Sequence, residues 1–162
     1  MKNPGANLGM IFEEGSRRFR RTVGLDAPNL TNYVHPSLHL EAQMLSKNIV
    51  MFGSSVEHLL VKYTRDIIHE QMLLNRLANA AIDIYTMLVV LSRATRALER
   101  NIHSASIEAN MTRVICSEAN ARISSNFRAL KSPDALKYDE LILNVAKDVI
   151  TNGTIVHNHP LD

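Results

Sequence analysis

The stretch LANAAIDIYTMLVVL, residues 77–91, is the part of the sequence that decides the fold. It contains neither glycine nor proline, and Asp83 is its only charged residue. It is longer than an ordinary strand, and its apolar residues lie on nearly every face of a helix with 3.6 residues per turn. The stretch therefore predicts a long helix, from about residue 66 to residue 99, that is surrounded by other helices.

Three more helices are predicted around it, over about residues 37–63, 105–130 and 138–151, because apolar residues recur there at helical spacing. Counted along the chain, the long helix at residues 66–99 is the second of the four. The residues expected to face inward are Leu38, Leu45, Ile49, Phe52, Val56, Leu59, Leu60 and Tyr63 in the first helix, Ile107, Met111, Val114, Ile115, Ala119, Ile123 and Phe127 in the third helix, and Leu141, Ile142, Val145, Val149 and Ile150 in the fourth helix. Ser132-Pro133-Asp134 breaks the third helix, and Gly153 is expected to stop the fourth. The 162 residues are 46% hydrophobic, enough for one core. We expect an all-α fold, an up-and-down helical bundle of about four helices with an N-terminal amphipathic arm.

The arm, residues 7–23, is followed by a proline-containing linker. Residues 1–24 contain Lys2, Arg17, Arg18, Arg20 and Arg21 against Glu13 and Glu14, an excess of 5 − 2 = +3. Leu8, Ile11, Phe12, Gly15, Phe19 and Val23 share one arc of a helical wheel. We therefore divide the chain into an arm and linker (1–35), a helical bundle (36–152) and a C-terminal tail (153–162). Pro36 belongs to the linker or, alternatively, is the first helical position of the bundle.

An apolar stripe flanked by arginines suits a membrane interface, where the arginines meet anionic headgroups. The expected membrane-contact residues are Leu8, Ile11, Phe12, Arg17, Arg18, Phe19, Arg20 and Arg21. Docking of the stripe on the bundle or on a partner's core is the equal alternative. A mitochondrial presequence is a third reading, against which the two acidic residues of the arm count. No segment is expected to span a membrane, since the longest apolar stretch, residues 80–91, is too short and is interrupted by Asp83 and Thr86.

Few residues offer chemistry. A carboxylate at position 83 must be paired, because an isolated buried charge is costly, and Arg76, Arg113 and Arg122 are the candidate partners. We favour an ion pair that fixes the register of the helices over a catalytic acid. Cys116 is the only cysteine, which excludes an intrachain disulfide, and it is expected to be a small buried residue.

The histidines do not form a convincing metal site. His157 and His159 are spaced as H-x-H but lack further ligands, and His58 and His69 are expected at the surface. No phosphate-binding loop, dinucleotide-binding turn or nucleophile motif occurs. We therefore assign no catalytic, cofactor-binding or metal residue, and the net charge of +2 does not indicate a nucleic-acid partner.

Three segments carry a resemblance to a known family. These are KNPGANLGMIFEEGSRRFRRTVGL (residues 2–25), VHPSL (34–38) and EQMLLNRLANAAIDIYTMLVVLSRATRAL (70–98), and the ending NHPLD (158–162) also fits. They resemble the C-terminal helical domain of mitochondrial very-long-chain acyl-CoA dehydrogenases. The likeness covers essentially all of residues 2–162.

The resemblance implies a parent protein that is an FAD-dependent, homodimeric flavoprotein of fatty acid β-oxidation. It also implies that this region contacts the parent's catalytic core and the matrix face of the inner mitochondrial membrane. The family's catalytic glutamate lies in a segment close to FEGTND, which this sequence does not contain. We therefore expect the polypeptide by itself neither to hold FAD nor to oxidise acyl-CoA. A close paralogue that acts in respiratory complex I assembly shares this domain, so a protein-interaction domain for assembly factors is the alternative.

Overall fold

A computed structural model describes residues 28–154. The helices are α1 (His39–Tyr63), α2 (Gln71–Glu99), α3 (Ala105–Ala129) and α4 (Pro133–Asn152), and three 3₁₀ segments occupy Leu30–Tyr33, Pro36–Leu38 and Thr64–His69. The described residues contain no strand. The predicted all-α helical fold is confirmed. The arm and the residues after Thr154 lie outside the described part.

The chain divides into two compact units, Met1–Phe127 and Arg128–Asp162. The described part of the first contains α1, α2 and nearly all of α3. The second contains the last two residues of α3 and all of α4.

Side-chain contacts give the direction of each helix in the first unit. Arg122 contacts Asp83, and Glu108 contacts Arg93. The sequence numbers of these pairs have nearly constant sums, 205 and 201, as antiparallel helices require. The contacts of α3 with α1 and with the 3₁₀ turn just before it instead have nearly constant differences. Asn48 Nδ2 donates to Asn120 Oδ1, 72 residues on, and Arg113 donates to Ser37 O, 76 residues back. The three helices therefore run up, down and up.

The core of this unit is made of aliphatic side chains with a few polar groups between them. The largest side chains that are almost fully buried are Leu38, Leu45, Leu59, Leu73, Met87, Leu91 and Ile123. Asn48 lies where all three helices meet, 3.0 Å from Asn120 Oδ1 and 3.7 Å from Met87 Sδ. A buried amide must find such partners, so it favours one register over its neighbours.

The entrance to α1 is fixed by local hydrogen bonds. Pro36 is the first residue of the 3₁₀ turn that leads into α1, as the alternative interpretation expected. His35 Nδ1 accepts a hydrogen bond from the backbone N–H of Ser37 at 3.3 Å. The backbone N–H of His35 donates to Thr95 Oγ1 of α2 at 3.2 Å. The segment before α1 is thereby attached to the C-terminal half of α2.

The prediction that α2 is surrounded by helices is wrong. Ile82 and Tyr85 are 63% and 66% exposed, and Val89 on the same face is also exposed. Within the first unit, α1 and α3 cover only one side of α2, and this outer face lies opposite. By length and composition α2 is also the one described helix that could cross a membrane, with 22% of the relevant stretch buried in the protein. Packed helices of soluble proteins pass the same test, and Asp83 interrupts this one.

The buried face of α3 is rotated from the predicted stripe. Ile107, Met111 and Val114 are exposed, whereas Ala119, Ile123 and Phe127 are buried as predicted. The face that is buried consists mainly of small residues, namely Ala105, Ala109, Thr112, Cys116 and Ala119. The search for large apolar residues therefore selected the wrong side of this half of the helix, because its buried side chains are small.

The fourth helix begins earlier than predicted and has a different burial pattern. Ser132 caps it by accepting from the backbone N–H of Ala135, and Pro133 occupies the first turn, so the predicted break is also a start signal. Gly153 ends the helix with a φ of +67°, as predicted. The residues expected to face inward are all exposed: Leu141, Ile142, Val145, Val149 and Ile150. Asp139 is the residue of α4 that is buried.

Candidate functional site

The predicted membrane-contact residues lie outside the described part of the chain, as do His157 and His159. The structure therefore leaves the membrane contact a prediction. The candidates that it does describe are a pair of charged residues, a buried cysteine beside a carboxylate, a groove and a set of exposed apolar faces.

Asp83 is paired with Arg122, one of its three predicted partners. Arg122 Nε lies 3.1 Å from both carboxylate oxygens of Asp83, and Arg122 Nη2 lies 2.6 Å from Asp83 Oδ1. These hydrogen bonds, together with the attraction between the charges, raise the pKa of the Arg122 guanidinium. The carboxylate is held in a two-pronged contact with a permanent cation, which suits a structural ion pair better than a proton donor.

The charged pair is asymmetric in its exposure. The side chain of Asp83 is 12% exposed, while that of Arg122 is 54% exposed and also lies 4.0 Å from Glu118. Arg122 therefore covers the buried carboxylate from the solvent side, and it joins the middle of α2 to the C-terminal half of α3.

Cys116 is fully buried on α3, as predicted. Burial raises the pKa of its thiol to about 11, and the negative charge of Glu41 contributes to the same direction. Only the thiolate is an effective nucleophile, so a thiol in this environment is inert at neutral pH. The residue serves packing.

Glu41 is a buried carboxylate that the sequence interpretation missed. It is 6% exposed, and its Oε2 atom has no hydrogen-bond partner among the described residues. Glu41 follows Leu38 by three residues and precedes Leu45 by four, so it lies within the apolar stripe of α1. This spacing predicts that Glu41 is buried, but a search for hydrophobic residues alone does not include a glutamate.

The described histidines do not assemble a metal site. His58 and His69 are exposed, as predicted. Among residues 28–154 no group of three histidine, cysteine, aspartate or glutamate side chains lies close enough to hold a metal ion.

A groove of about 400 Å³ lies between the N-terminal half of α1, the C-terminal half of α2 and the segment before α1. Its floor is apolar, and Arg96 and Glu99 are its charged residues. The complete lining is Leu30, Tyr33, Val34, Ala42, Leu45, Leu88, Leu91, Ser92, Thr95, Arg96 and Glu99. We refer to these eleven residues as the α1–α2 groove.

The α1–α2 groove does not fit a flavin dinucleotide. A pyrophosphate is normally held by backbone N–H groups at a helix N-terminus or a glycine-rich turn. No lining residue is a glycine, and the last turn of α2, whose dipole repels anions, lines the groove with Arg96 and Glu99. The groove instead suits a helix with an apolar stripe.

The large apolar side chains that are exposed form groups on single helices. On α2 they are Ile82, Tyr85 and Val89, at spacings of three and four residues. On α3 they are Ile107 and Met111, followed by Val114 on the same face. Contiguous exposed apolar faces of this kind commonly mark contact surfaces for another protein.

Comparison with known proteins follows from this architecture. Residues 36–155 match the protein family described as "ACAD9/ACADV, C-terminal domain". The chain belongs to this family. The matched range begins at the turn into α1 and includes all four helices.

Three relatives show how far the likeness extends. A protein of Macaca fascicularis named "Very long-chain specific acyl-CoA dehydrogenase, mitochondrial" is 38% identical over 165 residues, covering 99% of this chain and 25% of the relative. The proteins of the same name from Bos taurus and Homo sapiens are 37% and 36% identical over 163 residues each, with the same coverage. The predicted resemblance is confirmed. The chain spans about a quarter of the length of these relatives.

Most of the candidate site residues lie within the range that the family matches. The range matched by the family contains the Asp83–Arg122 pair, Cys116 and most of the α1–α2 groove, whereas the arm precedes it. The arm is included in the likeness to the three relatives, which covers 99% of the chain.

Proposed function

We propose that this chain is the C-terminal, non-catalytic part of a mitochondrial very-long-chain acyl-CoA dehydrogenase. Its role there is to contribute inner-membrane association and dimer architecture to an FAD-dependent enzyme of fatty acid β-oxidation. The observation that carries the proposal is 36–38% identity along 99% of the chain to mitochondrial proteins of that name. On this proposal FAD and the catalytic glutamate belong to the rest of the parent protein.

The proposed membrane contact is made by the arm on the matrix face of the inner membrane. Its support is the sequence pattern: an apolar stripe with a net charge of +3 over residues 1–24. Apolar side chains enter the acyl boundary while the arginines meet anionic headgroups, so binding should weaken with added salt.

Sedimentation of the 162-residue chain with vesicles tests this contact. The chain should co-sediment with cardiolipin-containing vesicles and less with neutral phosphatidylcholine vesicles. Phe12→Glu with Phe19→Glu should abolish co-sedimentation. The matched control is Ile107→Glu with Val114→Glu, which makes the same charge change on an exposed face of α3. Equal loss in both double variants, or loss in neither, would remove the arm as the anchor.

The proposed contact with the parent's catalytic core uses the exposed apolar faces. Its support is the size and regular spacing of Ile82, Tyr85 and Val89 on α2, which the described helices of the first unit leave exposed. Co-expression of the two parts of the parent as separate chains tests it. Ile82→Glu with Tyr85→Glu should prevent co-purification, while Glu118→Gln on α3 should not. Undiminished co-purification of the double variant would assign the contact elsewhere.

A second candidate is an interaction domain of the paralogue that acts in respiratory complex I assembly. It is favoured by the family itself, whose description names two proteins and does not separate them. The same exposed apolar faces would then contact assembly factors. Recovery of complex I assembly proteins by this chain from mitochondrial extract, with binding that resists salt, would support this candidate over the first.

A further inference from the structure

We propose that the arm, residues 7–23, has a second binding site besides the membrane, namely the α1–α2 groove. There it packs as an additional helix of the bundle, and its apolar stripe is withdrawn from the membrane. The docking follows from the groove and the chain that leads into it. The competition with a membrane rests on the proposed function of the arm. The two parts therefore need separate measurements.

The position of the groove at the end of the arm is the first support. Leu30 and Tyr33 form one wall of the groove, and the backbone N–H of His35 holds that segment against α2. Only residues 24–29 separate the arm from this wall. Six extended residues reach at most about 22 Å, so the arm is tethered within a groove's length of this binding site. A tether this short gives a local concentration in the millimolar range, enough for a weak contact to be populated.

The dimensions and the direction also agree. The α2 side of the groove runs over the twelve residues from Leu88 to Glu99, about 16 Å of helix. The stripe of the arm from Leu8 to Phe19 is also twelve residues long and, as a helix, would have the same length. The chain enters the groove beside Thr95, so the arm would lie antiparallel to α1. A helix in that orientation continues the up-and-down order of α1, α2 and α3.

The chemistry of the lining complements the stripe. Leu88, Leu91 and Leu45 present aliphatic surface, and Ala42 leaves room for a ring such as that of Phe12 or Phe19. Glu99 lies at the end where the chain enters, which is also the end that the arginines of residues 17–21 would occupy. Arg96 lies one turn from Glu99 in the same lining, so the exposed charges largely offset each other and the leucines supply the contact.

The test uses the absence of tryptophan from the chain. Phe12→Trp places a single fluorophore in the stripe of the full 162-residue protein. In buffer without vesicles, the emission should be blue-shifted and acrylamide quenching several-fold weaker than for a peptide of residues 1–27 with the same change. Adding Leu88→Glu, at a groove position that is 48% exposed, should restore the quenching of the peptide. The matched control, Ile107→Glu at a 62% exposed position outside the groove, should leave the protection intact. Circular dichroism establishes that each variant is folded.

The outcomes separate the possibilities. Equal acrylamide quenching of the Phe12→Trp protein with and without Leu88→Glu would overturn docking in the groove. Protection that disappears on dilution would assign the groove to a second copy of the chain and would also overturn the proposal. Docking in the groove lowers the fraction of arm that is free to bind a membrane. The Leu88→Glu variant, which does not dock, should therefore bind cardiolipin-containing vesicles more tightly than the Ile107→Glu control. Equal vesicle affinity beside clear protection would refute the competition but not the docking. Failure of every variant to bind vesicles would refute the proposed function of the arm and the competition, and leave the docking result standing.

Discussion

Replacement of Arg122 by methionine should destabilise the first unit through the carboxylate that it leaves behind. Asp83 accepts at distances of 3.1, 3.1 and 2.6 Å from the guanidinium, and its side chain is 12% exposed. Breaking a deeply buried pair costs about 3–5 kcal/mol, whereas an exposed pair contributes about 0.2–1 kcal/mol. Because the carboxylate is largely buried and the guanidinium is 54% exposed, we expect Arg122→Met to cost about 2 kcal/mol.

A double-mutant cycle isolates the contribution of the pair. Asp83→Asn alone should cost about 1 kcal/mol, since the amide is less expensive to bury than an unpaired charge. The double variant should cost about 1.5 kcal/mol, less than the sum of the single variants, because no buried charge remains. The coupling free energy would then be about 1.5 kcal/mol. Urea unfolding followed by circular dichroism measures all four proteins, with the m-value checked for constancy.

The control for this cycle is Glu118→Gln. Glu118 also lies near Arg122, at 4.0 Å, but its side chain is 67% exposed. Its replacement should change the free energy of unfolding by less than about 0.5 kcal/mol. If Arg122→Met is no more destabilising than this control, or if the effects in the cycle are additive, the pair does not fix the register of α2 and α3.

Three further predictions concern the turn after α1, the buried thiol and an exposed charge pair. Thr64 has a φ of +49° and a ψ of −118°, which a β-branched residue adopts only with strain, so Thr64→Gly should raise the free energy of unfolding by about 1 kcal/mol in urea titrations. Burial raises the pKa of Cys116 to about 11 from its ordinary 9.0, so the unfolded state loses its proton first and the stability of the native protein should fall by up to about 2 kcal/mol between pH 9 and 11. Cys116→Ala should be less stable at neutral pH because of the cavity and should lack this part of the pH dependence; parallel pH profiles would contradict the assignment. The hydrogen bonds from Arg93 and Ser104 lower the pKa of Glu108, so their contribution should be present above its ordinary value of 4.5 and be lost as the pH falls through the lower folded value. The stability difference between the protein and Glu108→Gln should therefore shrink in acid, and a difference that stays constant from pH 7 to pH 3 would refute this.

The partner of Asp83 could have been chosen from the sequence, had the register been used. An antiparallel pair of helices joined near residue 102 brings together residues whose numbers add up to about 204, which gives 121 as the position opposite residue 83. Arg122 satisfies this rule. Arg113 is more than two turns away and instead donates to Ser37 O at the start of α1. The need for a pair came from burial, and its identity came from the length of the connection.

The burial of α3 was harder to predict because two kinds of apolar residue compete for the core. The inward face of its first half is made of Ala105, Ala109 and Thr112, and the outward face of Ile107 and Met111. A search for hydrophobic periodicity gives more weight to the larger side chains, which normally gain most from burial. Here the small residues are buried and the larger ones are exposed. No signal in a single sequence separates these two cases.

The large apolar residues that are exposed on α2 and α3 give information about function. Ile107 and Met111 on α3 and Ile82 and Tyr85 on α2 are exposed on faces that the other described helices of the first unit do not cover. Each exposed side chain of this size forfeits about 1.5–3 kcal/mol of burial. A domain that had only to fold would place polar residues there, as the outer faces of soluble helices normally do. The pattern therefore favours a domain that folds on its small-residue seam and keeps its large apolar residues for a second surface, which matches a family whose relatives are four times the length of this chain.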